Sequence, residues 1–266
     1  MGVKSGCGGR INPGASAGRS PSASTVRARR VSVIIPVKNE RRTLPSVLRE
    51  ASKLSSDIIV VCNGTTDGSD RIAESMGARV IRYNEPLGHD VGRAVGAAQA
   101  KHDILLFTDG DLVIPAKDLL PFTQAVRRGA DVALNSYLGP YTHPVVVSKH
   151  ALNAVLGRPD LRGASLTTVP HAISRRALKR IGTEHLAVPP KAQAMAVSQG
   201  LRIVSAHLVD VGRLNRFRRR PKGAAGMDEL GRLIVGDHLE AVRWLITATD
   251  GRGKHTDLKR NRSVLR

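Results

Sequence analysis

From Val31 onward the chain alternates between two apolar periods. Val31-Ser32-Val33-Ile34-Ile35-Pro36-Val37 is a short β-branched run, and Leu44, Val47, Leu48, Ala51 and Leu54 then recur at three- and four-residue intervals. The first pattern predicts a strand over 31–37, the second a helix over 42–54. The pair repeats along the chain. Strands are predicted over 57–62, 78–82, 103–108 and 131–134, separated by helices from Asp67 or Ser69 to Met76, over 92–100 and over 117–128. Such alternation predicts an α/β fold, Rossmann-like, with a mostly parallel central sheet and helices on both faces.

Beyond Ser136 the pattern loosens into short helices over 148–156, 174–181 and 191–198 and a strand over 201–208. A long helix from Met227 to Ala248 follows, with Leu230, Leu233, Ile234, Leu239, Val242, Leu245 and Ile246 along one side. That stripe predicts packing on the domain or on a second copy of the chain, as a homodimer, rather than a membrane anchor.

With 266 residues and 41% hydrophobic content, the chain can bury one substantial core. Residues 1–30, rich in Gly, Ser, Ala and Arg without apolar period, read as a disordered basic tail. The domain then runs over 31–222, the long helix over 223–250, and a second basic tail over 251–266. Most of the formal net charge of +20 lies in 1–30, 214–222 and 251–266, so the body is only mildly basic. Charge placed in chain ends attracts anionic lipid or polyphosphate more readily than it builds a groove that reads sequence. Aromatic residues make up 3% of the chain, leaving few stacking platforms for single strands, so no specific nucleic-acid partner is expected. Cys7 and Cys62 do not make a disulfide framework, and apolar runs such as 58–62 are too short to span a bilayer. The expectation is a cytoplasmic chain with a peripheral contact to anionic membrane through its basic ends.

The candidate chemistry sits at Leu105-Leu106-Phe107-Thr108-Asp109-Gly110-Asp111, where an apolar strand ends in two carboxylates separated by one glycine. Like charges that close repel each other, and a divalent cation between them removes the repulsion; a solvated turn is the bland alternative. The C-terminal lip of a strand is where open α/β sheets hold ligands, which favours the cation.

Three motifs in order, Val31 to Glu40, Ile58-Ile59-Val60-Val61-Cys62-Asn63-Gly64-Thr65-Thr66-Asp67-Gly68-Ser69, and Asp109-Gly110-Asp111, resemble the nucleotide-sugar-binding half of the family 2 glycosyltransferases with the GT-A fold. The resemblance covers residues 31 to about 135. It implies a metal-dependent hexosyl transfer from a nucleotide-diphosphate sugar, with Mg2+ or Mn2+ held by Asp109 and Asp111. It also implies that Pro36, Val37, Asn39 and Glu40 line the nucleotide pocket. Where the family usually has an acid pair after the second strand, this chain has Cys62-Asn63, and Asn63 offers a donor and an acceptor to a base edge. Gly88 and Arg93 resemble the family's glycine-containing loop, with a basic residue at the donor, and Gly110 sits between the acids. Inverting members carry an acid before the helix that precedes the last strand. The matching segment Leu186 to Gln193 has none, and Glu184 and His185 are the nearest candidates for a base.

The chain is also similar to the retaining glucosyl-3-phosphoglycerate and mannosylglycerate synthases, a resemblance that implies a downstream histidine as a further metal ligand, here His207. Lys149, Arg158, Arg162, Arg175, Arg176 and Arg213 predict a small anionic metabolite or a lipid phosphate as acceptor rather than a long neutral glycan. Two other readings stay open at this point: a nucleotidyltransferase, and a nucleotide-sugar-binding protein without transfer activity.

Overall fold

A computed structural model describes residues 30–214 and 227–265. The tail expected over 1–30, Arg30 apart, the basic segment at 214–222, Leu214 apart, and the boundary at 222/223 lie outside the described residues. The elements are β1 (Val31–Val37), α1 (Leu44–Ser52), β2 (Asp57–Asn63), α2 (Ser69–Ser75), β3 (Arg79–Tyr83), α3 (Val91–Gln99), β4 (Ile104–Phe107) and α4 (Ala116–Arg127). Then come β5 (Val132–Asn135), α5 (Pro144–Val155), β6 (His171–Ser174), α6 (Arg175–Ile181), α7 (Pro189–Ser198), β7 (Ile203–His207), α8 (Val211–Leu214) and α9 (Glu229–Ala248).

The strands form one sheet in the order β3-β2-β1-β4-β6-β5-β7. Neighbours run parallel except around β6, which is antiparallel to both β4 and β5. The strand period of two sends Val33, Ile35 and Val37 to one face, where they meet α1, α2 and α4. Ile34, Ile59, Leu105 and Phe107 go to the other face, against α3, α6 and α7. Near-continuous apolar strands are what a sheet covered on both sides requires.

β1 has β2 on one side and β4 on the other, so the chain reverses its direction of sheet growth there. The crevice at the carboxyl ends of β1, β2 and β4 is therefore the expected ligand position. α3 lies close against the sheet because Gly96 leaves room for the Ile34 side chain of β1; a Cβ at that position would run into it.

α9 packs outside α5 and α7, through an apolar cluster of Leu152, Ala194 and Ala241 and an ion pair of Lys191 with Glu240 at 3.1 Å. The residues beyond it turn back onto α5, where His255 Nε2 lies 2.9 Å from the carbonyl oxygen of Val155. Among the described residues no helix is long and apolar enough to cross a membrane.

Candidate active site

The loop after β1 is held by the loop after β2. Thr66 N–H donates to Asn39 Oδ1 at 2.8 Å, Arg41 N–H to Asp67 Oδ2 at 2.9 Å, and Glu40 N–H to Ser69 Oγ at 3.0 Å. Asn39 has a φ of 58°, a left-handed conformation that asparagine tolerates better than most side chains. Its amide is thus a brace between two loops. The bracing fixes Val37, Lys38 and Glu40 along one wall of a cleft.

The opposite wall is the loop that leads into α3. Asn63 clamps it at both ends of one amide: Nδ2 donates to the carbonyl of Gly88 at 2.9 Å, and Oδ1 accepts from Leu87 N–H. Asp90 then begins α3 with a φ of 63°, and its carboxylate, instead of capping the helix, lies between Arg93 and His89. Arg93 Nη1 is 2.6 Å from Asp90 Oδ1, and His89 Nδ1 is 2.8 Å from Oδ2. The two carboxylate oxygens are almost wholly shielded, as is the Arg93 side chain, so the pairing offsets a large desolvation cost.

Burial opposes ionisation of Asp90, yet Arg93 and the bond from His89 outweigh it and hold its pKa below 3.8. The bond to Asp90 raises His89 above its ordinary 6.5, against the opposing effect of burial. A raised folded pKa means that the His89 contribution to stability is complete below pH 6.5 and is lost as pH rises through the folded value. The depressed Asp90 works the other way, contributing above pH 3.8 and failing only in acid. Proton NMR titration is expected to give His89 a pKa above 6.5 in the native protein, returning towards 6.5 in Asp90→Asn. A native value at or below 6.5 would rule the pairing out.

The floor is the acidic turn after β4. Gly110 N–H donates to the carbonyl of Pro36 at 3.3 Å, and a Cβ on Gly110 would lie 2.8 Å from Val37 Cγ2. Only glycine lets this turn approach β1 so closely, which brings Asp109 and Asp111 under the β1 loop. Arg93 Nη2 reaches Asp109 Oδ1 at 3.1 Å, tying floor to wall. Beneath the turn, Phe107 stacks on His171 with ring centroids 4.8 Å apart.

Pro36, Val37, Glu40, Asn63, Gly88, Arg93, Asp109, Gly110 and Asp111 line a single cleft of about 300 Å³, with Lys38, Pro86, His89 and Asp90. Of the residues expected at the nucleotide, Asn39 is the one outside that lining, because its amide is turned to the β2 loop. Asn63 is in the lining, but both ends of its amide hold the 87–88 backbone.

Glu184 and His185 are elsewhere. They sit in a one-turn 3-10 helix over Glu184–Ala187, 3.6 Å from each other and outside the cleft lining. His207 ends β7, which β6 and β5 separate from β4, and its Nε2 lies 3.6 Å from Asp118 Oδ1. Among the described residues no three His, Cys, Asp or Glu side chains converge as a metal group, so the structure does not bring His207 to the acidic pair.

His89 and Asp90 escaped the sequence reading, although the four-residue span from Asp90 to Arg93 on one helical turn was visible. Asp237 on α9 escaped it too. Burial, followed by repulsion from Asp90 and Glu240, pushes its carboxyl up to about 6. Nothing local in the sequence around 237 signals that proximity.

Residues 32–181 match the model of a family described as glycosyl transferase family 2. Over 114 residues the chain is 28% identical to an undecaprenyl-phosphate 4-deoxy-4-formamido-L-arabinose transferase of Pseudomonas savastanoi pv. phaseolicola, covering 38% of this chain and 34% of that protein. Over 90 residues it is 36% identical to a 4,4'-diaponeurosporenoate glycosyltransferase of Staphylococcus haemolyticus, covering 31% of this chain and 24% of that protein. The match thus spans 34% and 24% of these relatives' length. Among solved structures, glucosyl-3-phosphoglycerate synthase from Mycobacterium tuberculosis, in complex with Mn2+, UDP-glucose and phosphoglyceric acid, superposes with a TM-score of 0.61 at 21% identity over 80% of each chain. That likeness shows the fold, which is the GT-A arrangement.

Proposed function

Because this chain belongs to glycosyl transferase family 2, we propose that its cleft binds a nucleotide-diphosphate sugar with Mg2+ or Mn2+ and that the chain transfers the sugar to a phosphate-bearing acceptor. One observation carries the reading: the loop after β1, the loop before α3 and the Asp109-Gly110-Asp111 turn, three motifs distant in sequence, line one cleft at the sheet's switch point. Family membership also counts against a nucleotidyltransferase.

The donor set suits a hard cation. Asp109 and Asp111 offer carboxylate oxygens only, Asp109 with a third of its side chain exposed, and Mg2+ is characteristically held by one or two carboxylates and substrate phosphates. When bound, the cation supplies counter-charge for the departing nucleoside diphosphate. The chain's own residues do the positioning. Glu40 and the backbone of 36–38 face the nucleoside end, Arg93 holds Asp109 in place, and the Asn63 clamp keeps the 87–88 backbone against the cleft. Glu184, the acid of the 184–190 segment, lies outside the cleft lining.

The acceptor class is supported by the relatives, one named for undecaprenyl phosphate and one captured with phosphoglyceric acid. Peripheral contact of the basic ends with anionic lipid at the cytoplasmic side belongs to the same reading, as does self-association through the exposed Leu233, Leu239 and Ile246 of α9. Thermal unfolding tests the donor site. A nucleoside diphosphate at a hundredfold over its Kd with Mn2+ is expected to raise Tm by roughly 5–10 °C, with a smaller shift in EDTA. No shift with any nucleoside diphosphate or nucleotide sugar in Mn2+, together with no sugar release, would end the proposal.

A further inference from the structure

Three of the six cations that favoured an anionic acceptor are already engaged. Arg158 forks onto Asp160 at 2.8 and 2.7 Å, Arg176 onto Asp131 at 3.1 and 2.7 Å, and Arg175 donates to the carbonyls of Ala100 and His102. Lys149, on α5, is different. Its ammonium donates to Thr168 Oγ1 at 2.6 Å, and among the described residues no carboxylate lies within 4.0 Å of it.

The position of Lys149 is as informative as its lack of an adjacent carboxylate. Thr167, next to its partner Thr168, accepts from Arg93 Nη1 through its carbonyl at 3.4 Å. One peptide unit therefore joins Lys149 to the arginine that backs the cleft. Arg93 is committed to Asp90 and Asp109, while Lys149 connects to it through Thr168 and Thr167, outside the cleft lining.

The neighbouring histidines do not supply or remove charge at neutral pH. Burial, then Arg93, pushes His171 down to about 3, and burial pushes His238 of α9 down to about 4. Burial, then repulsion from Arg93, lowers Lys149 itself to about 8, and the attraction of Asp90, beyond ion-pair distance, does not offset them. Thr168 completes the arrangement, because a hydroxyl that accepts from the ammonium keeps its own proton to donate.

We propose that Lys149 and Thr168 seat the phosphate monoester of the acceptor, a step that rests on the transfer reading above. An ammonium and a hydroxyl donor, with Arg93 one peptide away, match a dianionic group with several acceptor oxygens. On the transfer reading the donor diphosphate would sit at Asp109 and Asp111, so an anion at Lys149 would be a second one. A free phosphate ester and a lipid phosphate headgroup share this chemistry, and the probes distinguish them.

The test measures binding of glycerol 3-phosphate and of a polyprenyl phosphate in detergent micelles, with and without UDP and Mn2+. Lys149→Gln is expected to weaken whichever phosphate binds by at least about tenfold, with UDP affinity within about twofold of wild type, and Lys149→Arg to restore most of the loss. Unchanged phosphate affinity in Lys149→Gln, no phosphate binding to the wild-type chain in either arm, or an equal loss of UDP affinity overturns the proposal. A wild-type chain that ignores UDP but binds phosphate through Lys149 sinks the donor reading and leaves this site standing. In the wild-type chain, where folding is not at issue, either phosphate probe, but not glycerol, is expected to slow acetylation of Lys149 as read by mass spectrometry; equal rates overturn the assignment.

Discussion

Replacing Asp111 by alanine is expected to abolish sugar transfer while leaving the protein folded. The side chain lies in the cleft lining on a turn beyond β4, outside both apolar clusters of the sheet, so its truncation opens no cavity in the core. What it removes is half of the acidic pair. A cation that stabilises departing charge contributes several kcal/mol to the transition state, and about 4 kcal/mol corresponds to roughly a thousandfold in rate. Turnover of a nucleotide sugar in Mn2+ should therefore fall by at least about a thousandfold, with Tm within roughly 2 °C of wild type. EDTA should reproduce the loss in the wild-type chain and add little to the variant. Near-normal turnover by Asp111→Ala would remove the acidic turn from the mechanism, whatever the thermal shifts show.

Arg93→Met should act in the opposite way, through stability first. The guanidinium side chain is 5% exposed and Asp90 2%, so the variant leaves a carboxylate sealed in the protein without its main counter-charge. Breaking one side of a buried pair costs about 3–5 kcal/mol, which for a domain of this size lowers Tm by roughly 10 °C. Adding Asp90→Asn to Arg93→Met should recover part of the loss, because the uncompensated charge is then gone. Urea unfolding of the two variants measures this directly. A single variant destabilised by less than about 1 kcal/mol would mean that Arg93 is not the tie between the α3 wall and the acidic floor.

The strands β1, β2, β4 and β5 were legible because each is an apolar run whose residues occupy both faces of a doubly covered sheet, a local signal that survives without any knowledge of partners. β6 was not. Its His-Ala-Ile-Ser is four residues long with polar ends, and the sequence suggested only the start of a helix at Ser174, which does cap α6 by accepting from Ala177 N–H. What makes 171–174 a strand is pairing on both sides, with β4 and β5, decided by partners found elsewhere in the chain.

The site divides in the same way. Asp109, Gly110 and Asp111 announced themselves by charge and spacing, and Pro36, Glu40 and Arg93 by their motifs, and all line one cleft. Asn39 and Asn63 brace neighbouring loops in the structure, a use that sequence does not reveal, since an amide written into a binding loop looks the same whether it faces a ligand or a neighbouring loop. Glu184, His185 and His207 were reasonable by chain position and are not in the lining, because order along the chain does not say which way a one-turn helix or an edge strand presents its side chains.

The sequence by itself determined the alternating α/β architecture, the acidic turn and the family, since periodicity, backbone preference and short motifs are properties of neighbours. Only the tertiary structure decided that Arg93 meets Thr167, 74 residues away, that Lys149 connects to it through Thr168 without an adjacent carboxylate, and that α9 carries Asp237 to the vicinity of Asp90. Those pairings depend on distance through space and on how much water is excluded around each charge, and neither quantity exists until the sheet has brought its crossovers together.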